Sequence, residues 1–211
     1  MNKNTIINDK ITKRMELLPT LSRTSPVLFF IIILLNSIVY PSYESCYLFI
    51  CYFLAIISNH IFKNLFSKPL YNLLNTKSLP LLGIGDRPPN ARGCSHILTN
   101  KLSTSYGMPS GHSQITWTIC SYLLFKIINN WYTIKNNNKI NKTINIFEYI
   151  WIILSCILLL ITSIYISYSR VYIEGCHTIQ QVTVGGILGI ISGFLIYYFE
   201  NDAIKLLSKI Y

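Results

Sequence analysis

The sequence predicts an all-α integral membrane protein, a helical bundle of about five transmembrane helices. Three observations predict it. Hydrophobic residues make up 51% of the chain and charged residues 12%, roughly half the charged share usual in a soluble globular protein. The apolar residues gather in long runs at Pro26–Tyr40, Cys46–Phe66, Ile115–Ile134, Ile146–Ser169 and Thr178–Phe199. A bilayer core takes about 20 mostly apolar residues per helix, and four of these runs approach that length.

Residues 1–25 form a basic arm with Lys3, Lys10, Lys13, Arg14 and Arg23. It reads as an interfacial or mobile tail ahead of a membrane domain over 26–211. Pro26 and Pro41 bracket the first run, whose shortness suggests a tilted, bilayer-thinning or re-entrant segment. No small-residue cleavage site follows it, so an uncleaved span is expected rather than a signal peptide. The second run ends in Asn59-His60-Ile61-Phe62-Lys63-Asn64. A long loop over 67–109 follows. Leu70–Leu74 and Leu79–Leu82 make part of it apolar enough to lie on the membrane surface, before it turns Gly/Pro-rich at Gly83–Gly93. The Asn- and Lys-rich stretch around Asn136–Asn138 joins the third and fourth runs and is compositional only. Gly185, Gly186, Gly189 and Gly193 in the last run have the spacing that lets helices approach closely.

The formal charge of +10 does not point to nucleic acid. The cations flank the apolar runs, as membrane proteins place them, and no basic stripe with interleaved aromatics exists. Of six cysteines, four lie in apolar runs as small hydrophobes, and only Cys94 and Cys176 fall in loops. No CxxC pair supports a zinc finger. A zinc site drawn from His96, His112, His177 and Cys94 or Cys176 lacks any local ligand pair. A P-loop is absent, which disfavours a nucleotide-driven pump. The runs hold almost no ionisable residues to line a transport path, apart from Lys63 and Lys126.

Polar residues concentrate in three clusters at the ends of the runs. The first is Lys63 with Gly85-Asp86-Arg87-Pro88-Pro89-Asn90-Ala91-Arg92. The second is Tyr106-Gly107-Met108-Pro109-Ser110-Gly111-His112-Ser113-Gln114. The third is Ser167-Tyr168-Ser169-Arg170 with His177-Thr178-Ile179-Gln180-Gln181. The chain leaves the membrane after the second run, re-enters at the third, returns with the fourth and re-enters with the fifth. All three clusters therefore face one side. Such a set suits an anion. Arg presents a planar fork of donors matched to phosphate oxygens. Pro109-Ser110-Gly111-His112 reads as a helix start with free backbone N–H groups. Two histidines add a nucleophile or base and an acid for phosphoester cleavage.

Pro109-Ser110-Gly111-His112, and Ser169-Arg170 followed by His177, resemble the second and third signature motifs of the type 2 phosphatidic acid phosphatase superfamily. Tyr106–Gln114 with Trp117, Ser167–Tyr172, and His177-Thr178 with Gln181-Val182 and Gly185-Gly186 are most similar to its dolichyldiphosphatase branch. Asn59-His60 with Lys63-Asn64 resembles that branch as well. The resemblance implies a membrane phosphatase that needs no metal and no cofactor. It implies His177 as the nucleophile, forming a phosphohistidine, and His112 as the general acid. Arg170, Lys63 and Arg87 would hold phosphate oxygens with Ser110 and the Gly111 backbone, and Gln181 would orient the nucleophile. The implied substrate is a polyisoprenyl diphosphate cleaved to the monophosphate. Membrane lipids would surround it, in an endoplasmic-reticulum-type membrane in a eukaryotic or viral setting.

The chain departs from the family pattern at three points. Seven residues before Arg87, where the family's first-motif Lys belongs, stands Pro80. Lys63 fits by its neighbours but needs a long insertion, and Lys68, Lys77 and Arg92 are rivals. Most members carry Asp at the position of Gln181. A Gln carbonyl can orient an imidazole but stabilises its cation less than a carboxylate does, and Glu174 is a candidate to supply the missing charge. The interval from Arg170 to His177 is one residue longer than usual. A loop absorbs that, whereas a continuous helix would swing His177 by about 100°. Two rivals stay open on the sequence: a broader phosphatase of phosphatidate-like lipids, and a catalytically silent protein that binds anionic lipid or acts as a scaffold. Orientation stays open too. The Lys and Arg excess on the motif side suggests the cytoplasm, while the resemblance implies a lumenal site, where Cys94 and Cys176 could pair. Oligomeric state is not legible.

Overall fold

The computed structural model describes residues 3–89, 91–94, 98–102, 105–137 and 146–210. Side chains are described from Pro19 onward, except over 92–102 and at 134, 136, 137 and 210. The order is α1 (Lys3–Val39), α2 (Tyr43–Ile61), a π-helical turn (Phe62–Ser67), α3 (Lys68–Leu73), β1 (Ser78–Leu79), β2 (Gly83–Ile84), β3 (Arg92–Cys94), β4 (Leu98–Leu102), α4 (Gly111–Asn137), α5 (Ile146–Tyr168), a second π-helical turn (Ser169–Ile173) and α6 (Ile179–Ile210). Two small antiparallel ladders, β1–β2 and β3–β4, are the only strand pairings among the described residues.

Four helices are long and apolar enough to cross a membrane: Pro19–Val39, Tyr43–Leu73, Ile146–Ile173 and Ile179–Lys209. The first differs from the short run that the sequence suggested. Pro26 does not begin it. The helix passes through Pro26 because a proline removes one N–H, and the carbonyl that loses its partner, at Ser22, accepts instead from Ser25 Oγ at 2.8 Å. Tyr52 Oη donates to the Pro26 carbonyl and ties α1 to α2. α1 runs without a break from Lys3, across the expected boundary of the arm. The second span is longer than expected, since α2, the π turn and α3 are continuous and carry the helix into the loop region. Ser42 starts it as N-cap, accepting from the Ser45 amide at 3.1 Å.

The fifth helix of the bundle, α4, is not apolar enough to span by composition alone. At 27 residues it is about 40 Å long. It occupies the centre and packs on α1, α2, α5 and α6, so lipid need not solvate it. Ser113, Gln114, Thr116, Thr118 and Ser121 on it are all buried. α6 lies against α4 nearly backbone to backbone. A Cβ at Gly185 would come within 2.6 Å of the Ser110 carbonyl oxygen, and one at Gly189 within 2.5 Å of that of Gln114. Ser113 Oγ donates to the Val182 carbonyl at 2.8 Å and meets Ser167 Oγ at 3.0 Å, so one hydroxyl joins three helices. α5 is the lipid-facing counterpart: in its most apolar stretch only 11% of residues are buried.

Toward the other end of the bundle, Lys126 Nζ lies 2.7 Å from Glu200 and 2.8 Å from Glu44. Tyr122 Oη donates to the same Glu200 oxygen at 2.7 Å. This network staples α2, α4 and α6, and it explains how a Lys and a Glu are tolerated inside membrane helices.

Candidate active site

Gln181, in the first turn of α6 and fully buried, is the centre of the site. Its Nε2 donates to the carbonyls of Ile84, at 2.8 Å, and Asp86, at 2.6 Å. Both partners are acceptors, so the other end of the amide must be the oxygen. That oxygen lies 2.9 Å from His177 Nδ1 and also accepts from the Thr178 amide at 3.3 Å. An amide oxygen only accepts, so the proton sits on His177 Nδ1 and the lone pair on Nε2. His177 is itself buried, 3% exposed. Burial pushes its pKa well below the ordinary imidazole value, and the charges of Arg87 and Arg170 push the same way. The ring is therefore neutral at pH 7, with Nε2 unprotonated.

The same two bonds of Gln181 position Arg87. They hold the chain at Ile84–Asp86, and Gly85 O accepts from the amides of Gly107 and Met108 at 3.2 and 3.0 Å. Arg87 follows directly. Its Nε donates to Ser105 Oγ at 3.0 Å and its Nη1 to the Cys176 carbonyl at 3.4 Å, next to His177. The long insertion before Arg87 is accommodated by α3 and the β1–β2 hairpin, after which the chain returns to the site. Lys63 sits in the first π turn, close enough for its charge to act on Arg87, Arg170 and His177. Its rivals Lys68 and Lys77 line a cavity with Tyr71, Asp86 and Tyr106. Asn90, His96 and the side chains of Arg92 and Cys94 are outside the described residues.

Arg170 occupies the second π turn and is fully buried. Its Nη1 meets Glu174 Oε2 at 2.6 Å. Its carbonyl accepts from the amides of Cys176 and His177, at 3.0 and 3.2 Å. A π turn holds one residue more than an α turn and is often found at functional sites. Here the long Arg170–His177 interval is absorbed by the π turn and by a non-helical stretch through Gly175, whose φ of +60° suits glycine. Glu174 does not reach His177 through any described hydrogen bond, contrary to the suggestion that it replaces the family's Asp. It serves Arg170, and Arg23 Nε lies 3.9 Å from the same oxygen. Burial raises the Glu174 pKa, and the two guanidinium groups oppose that shift.

Ser110 is fully buried at the head of α4. Its amide donates to the Gln181 carbonyl at 3.0 Å, which fixes the start of α4 against the start of α6. Its Oγ is buried without a hydrogen-bond partner. Gly111 is held to glycine by its neighbour: a Cβ there would meet Asn59 Oδ1 at 3.0 Å. Asn59 is fixed in turn by donating to Gln114 Oε1 at 2.7 Å. His112 Nε2 lies 2.9 Å from the Arg23 carbonyl oxygen. A carbonyl only accepts, so Nε2 is the nitrogen that carries a hydrogen and donates here. His112 also lines a groove of about 420 Å³ with Pro26, Phe30, Tyr52 and Ile56.

The sequence-predicted residues Lys63, Arg87, Ser110, Gly111, Arg170, His177 and Gln181 thus meet at one end of the bundle, and α1 links His112 to them. Arg23 and Glu174 join them in roles that the motifs did not announce. Cys176 is disulfide-bonded, while Cys46, Cys51, Cys120 and Cys156 are free. Among the described residues no cluster of metal-ligating side chains forms.

A family model of the PAP2 superfamily matches residues 44–205. The chain belongs to the PAP2 superfamily. Members of this family with phosphatase activity are hydrolases. Dolichyldiphosphatase 1 of Homo sapiens is 33% identical over 104 residues, 49% of this chain and 40% of that protein. The corresponding protein of Rhinolophus ferrumequinum is 32% identical over the same length. The match thus spans well under half the length of these curated relatives. A transmembrane PAP2 type phosphatidylglycerolphosphate phosphatase from Bacillus subtilis has the same fold, with a TM-score of 0.54 at 18% identity, covering 91% of this chain and 77% of that one. The family and the fold are therefore those that the motifs implied.

Proposed function

We propose that this PAP2 protein hydrolyses a polyisoprenyl diphosphate to the monophosphate, through a phosphohistidine on His177 and without a metal ion. The hydrogen bond from His177 Nδ1 to Gln181 carries the reading, because it leaves Nε2 with a free lone pair within range of the charges of Arg87, Arg170 and Lys63. Nε2 attacks the terminal phosphorus. The bond from phosphorus to the bridging oxygen breaks, and His112 gives that oxygen its proton. Lys63, Arg87 and Arg170 hold the equatorial oxygens and stabilise the charge on the transferring group. Ser110 Oγ and the Gly111 amide supply neutral donors. Water then attacks the phosphohistidine, His112 takes a proton from that water, and phosphate leaves with His177 neutral again.

The polyisoprenyl assignment rests on the dolichyldiphosphatase relatives and on the apolar groove at His112. The leaving group must lie beside the general acid, and this groove offers it an apolar route between α1, α2 and α4. A lumenal site agrees with the disulfide at Cys176, since such bonds persist in oxidising compartments.

The test is phosphate release by detergent-purified protein with EDTA present, comparing dolichyl diphosphate with phosphatidate, and wild type with His177→Ala. The expected result is release that favours the diphosphate, is insensitive to EDTA and is abolished by the substitution, with an acid-labile phosphorylated protein trapped in wild type alone. Folded protein that releases no phosphate from either lipid would overturn the reading.

A further inference from the structure

We infer that Arg23 of α1 builds a second anion subsite, one that takes the leaving phosphate of a diphosphate substrate. The inference rests on the phosphatase reading and names which part of the substrate a further cation serves.

Arg23 lies between the general acid and the phosphate clamp. Its carbonyl oxygen is 2.9 Å from His112 Nε2, and its Nε is 3.9 Å from Glu174 Oε2. That oxygen already binds Arg170 Nη1 at 2.6 Å. Glu174 is thus fully engaged with one guanidinium and only loosely with the other. The Arg23 side chain is 13% exposed, and its Nε is buried without a hydrogen-bond partner. A guanidinium carries five donors and stays charged, so a buried one with so little to donate to is poised for an anion.

The Arg23 charge acts on different partners from the others. The positive charges that bear on His177 are those of Arg87, Arg170 and Lys63. Arg23 bears instead on Arg170 and Glu174. In an in-line displacement the leaving oxygen departs opposite the nucleophile, beside the acid that protonates it. Arg23 is assigned to that side through its carbonyl, which meets His112 Nε2 at 2.9 Å. For a phosphate monoester the leaving group is a neutral alcohol, which has no use for a cation there. For a diphosphate the leaving group is itself a phosphate, and charge grows on it as the bond breaks. Arg23 therefore discriminates diphosphates from monoesters.

The experiment is calorimetric binding of methylenediphosphonate and of inorganic phosphate to the full chain in detergent, for wild type, Arg23→Gln, Arg23→Lys and Arg87→Gln. Losing one charged donor pair predicts an about ten- to hundredfold weaker diphosphonate affinity in Arg23→Gln, with phosphate affinity changed less than about twofold. Arg87→Gln should weaken both ligands. Arg23→Lys keeps the charge and loses the fork, so it should weaken diphosphonate alone and by less. It carries the test if Arg23→Gln does not fold by size exclusion and melting. Equal loss of both ligands, no loss of either, or no diphosphonate binding by wild type would each overturn the inference. Lipid turnover measured in parallel separates it from the catalytic reading. Selective diphosphonate loss in the Arg23 variants, beside a wild type that shows no turnover, would sustain the subsite and sink the phosphatase. Turnover without selective loss would do the reverse.

Discussion

Gln181 departs from the family's usual Asp, and its two functions can be separated by substitution. Its oxygen holds the His177 tautomer, and its nitrogen holds the segment before Arg87 through the carbonyls of Ile84 and Asp86. Gln181→Ala removes both. The lost Nδ1–H bond is worth about 0.5–1.5 kcal/mol, and each buried carbonyl left unpaired costs about 1–3 kcal/mol. Part of the second cost falls on folding and part on the placement of Arg87. A rise of about 2–4 kcal/mol in the barrier, roughly a thirtyfold to a thousandfold loss of kcat/KM, is expected. Gln181→Glu is the sharper case. It offers His177 a better acceptor, as the family's acidic residue does, yet it turns a second acceptor toward two carbonyls that need a donor. It should therefore lower both kcat/KM and the melting temperature. The assay is phosphate release alongside thermal melting in detergent. Activity in Gln181→Ala within about threefold of wild type, or a gain in Gln181→Glu, would refute the assignment of Gln181 as a two-ended positioning residue.

Three further expectations follow from the same geometry. Because burial and the nearby cations depress the His177 pKa, and the neutral ring is the reactive form, the acid limb of kcat/KM should fall below the ordinary imidazole value of about 6.5. Arg87→Gln should move that limb upward, whatever it does to the amplitude, and a limb that stays put in a pH–rate series would contradict the electrostatic account. Gly189→Val forces α4 and α6 apart, since even its Cβ would sit 2.5 Å from the Gln114 carbonyl oxygen. A loss of about 1–3 kcal/mol or more, read as a lower melting temperature, should come with reduced activity, because the Ser110–Gln181 bond heads the same interface. Lys126→Met leaves Glu200 with Tyr122 as its described partner and, with Lys126 partly exposed, should cost about 1–3 kcal/mol. Phosphate release by the surviving folded fraction should hardly change, since Lys126 lies roughly 22 Å along α4 from Gly111.

The membrane class and the family motifs were legible because both are local signals. A span announces itself by twenty-odd apolar residues in succession, and Ser110-Gly111-His112 or Arg170 with His177 occupy short stretches. That all the clusters face one side followed from counting spans. The central helix was legible only in part. α4 is the least apolar of the five, and its buried Ser, Thr and Gln residues read as polar until four neighbouring helices are seen to cover them. The start of the first helix was misplaced because proline usually marks a boundary, and nothing local shows that Ser25 will satisfy the carbonyl that Pro26 leaves open.

The rest was decided by tertiary structure, and the reason is the same in each case: a partner distant in sequence sets the role. Lys63 stands in a π turn within electrostatic range of Arg87, Arg170 and His177, and α3 and a hairpin carry the chain back to Arg87. Glu174, a candidate partner for His177 on sequence proximity, is taken by Arg170 and Arg23. Gln181 appears in the sequence as a departure from a motif. Only the approach of Ile84 and Asp86, ninety-odd residues upstream, shows why an amide belongs there: it must accept at one end and donate at the other, and a carboxylate can only accept. Arg23 looked like one more charge in a basic arm. What sets it apart is the meeting of α1 with α4 and the turn after α5, which brings its carbonyl to His112 and its side chain to Glu174.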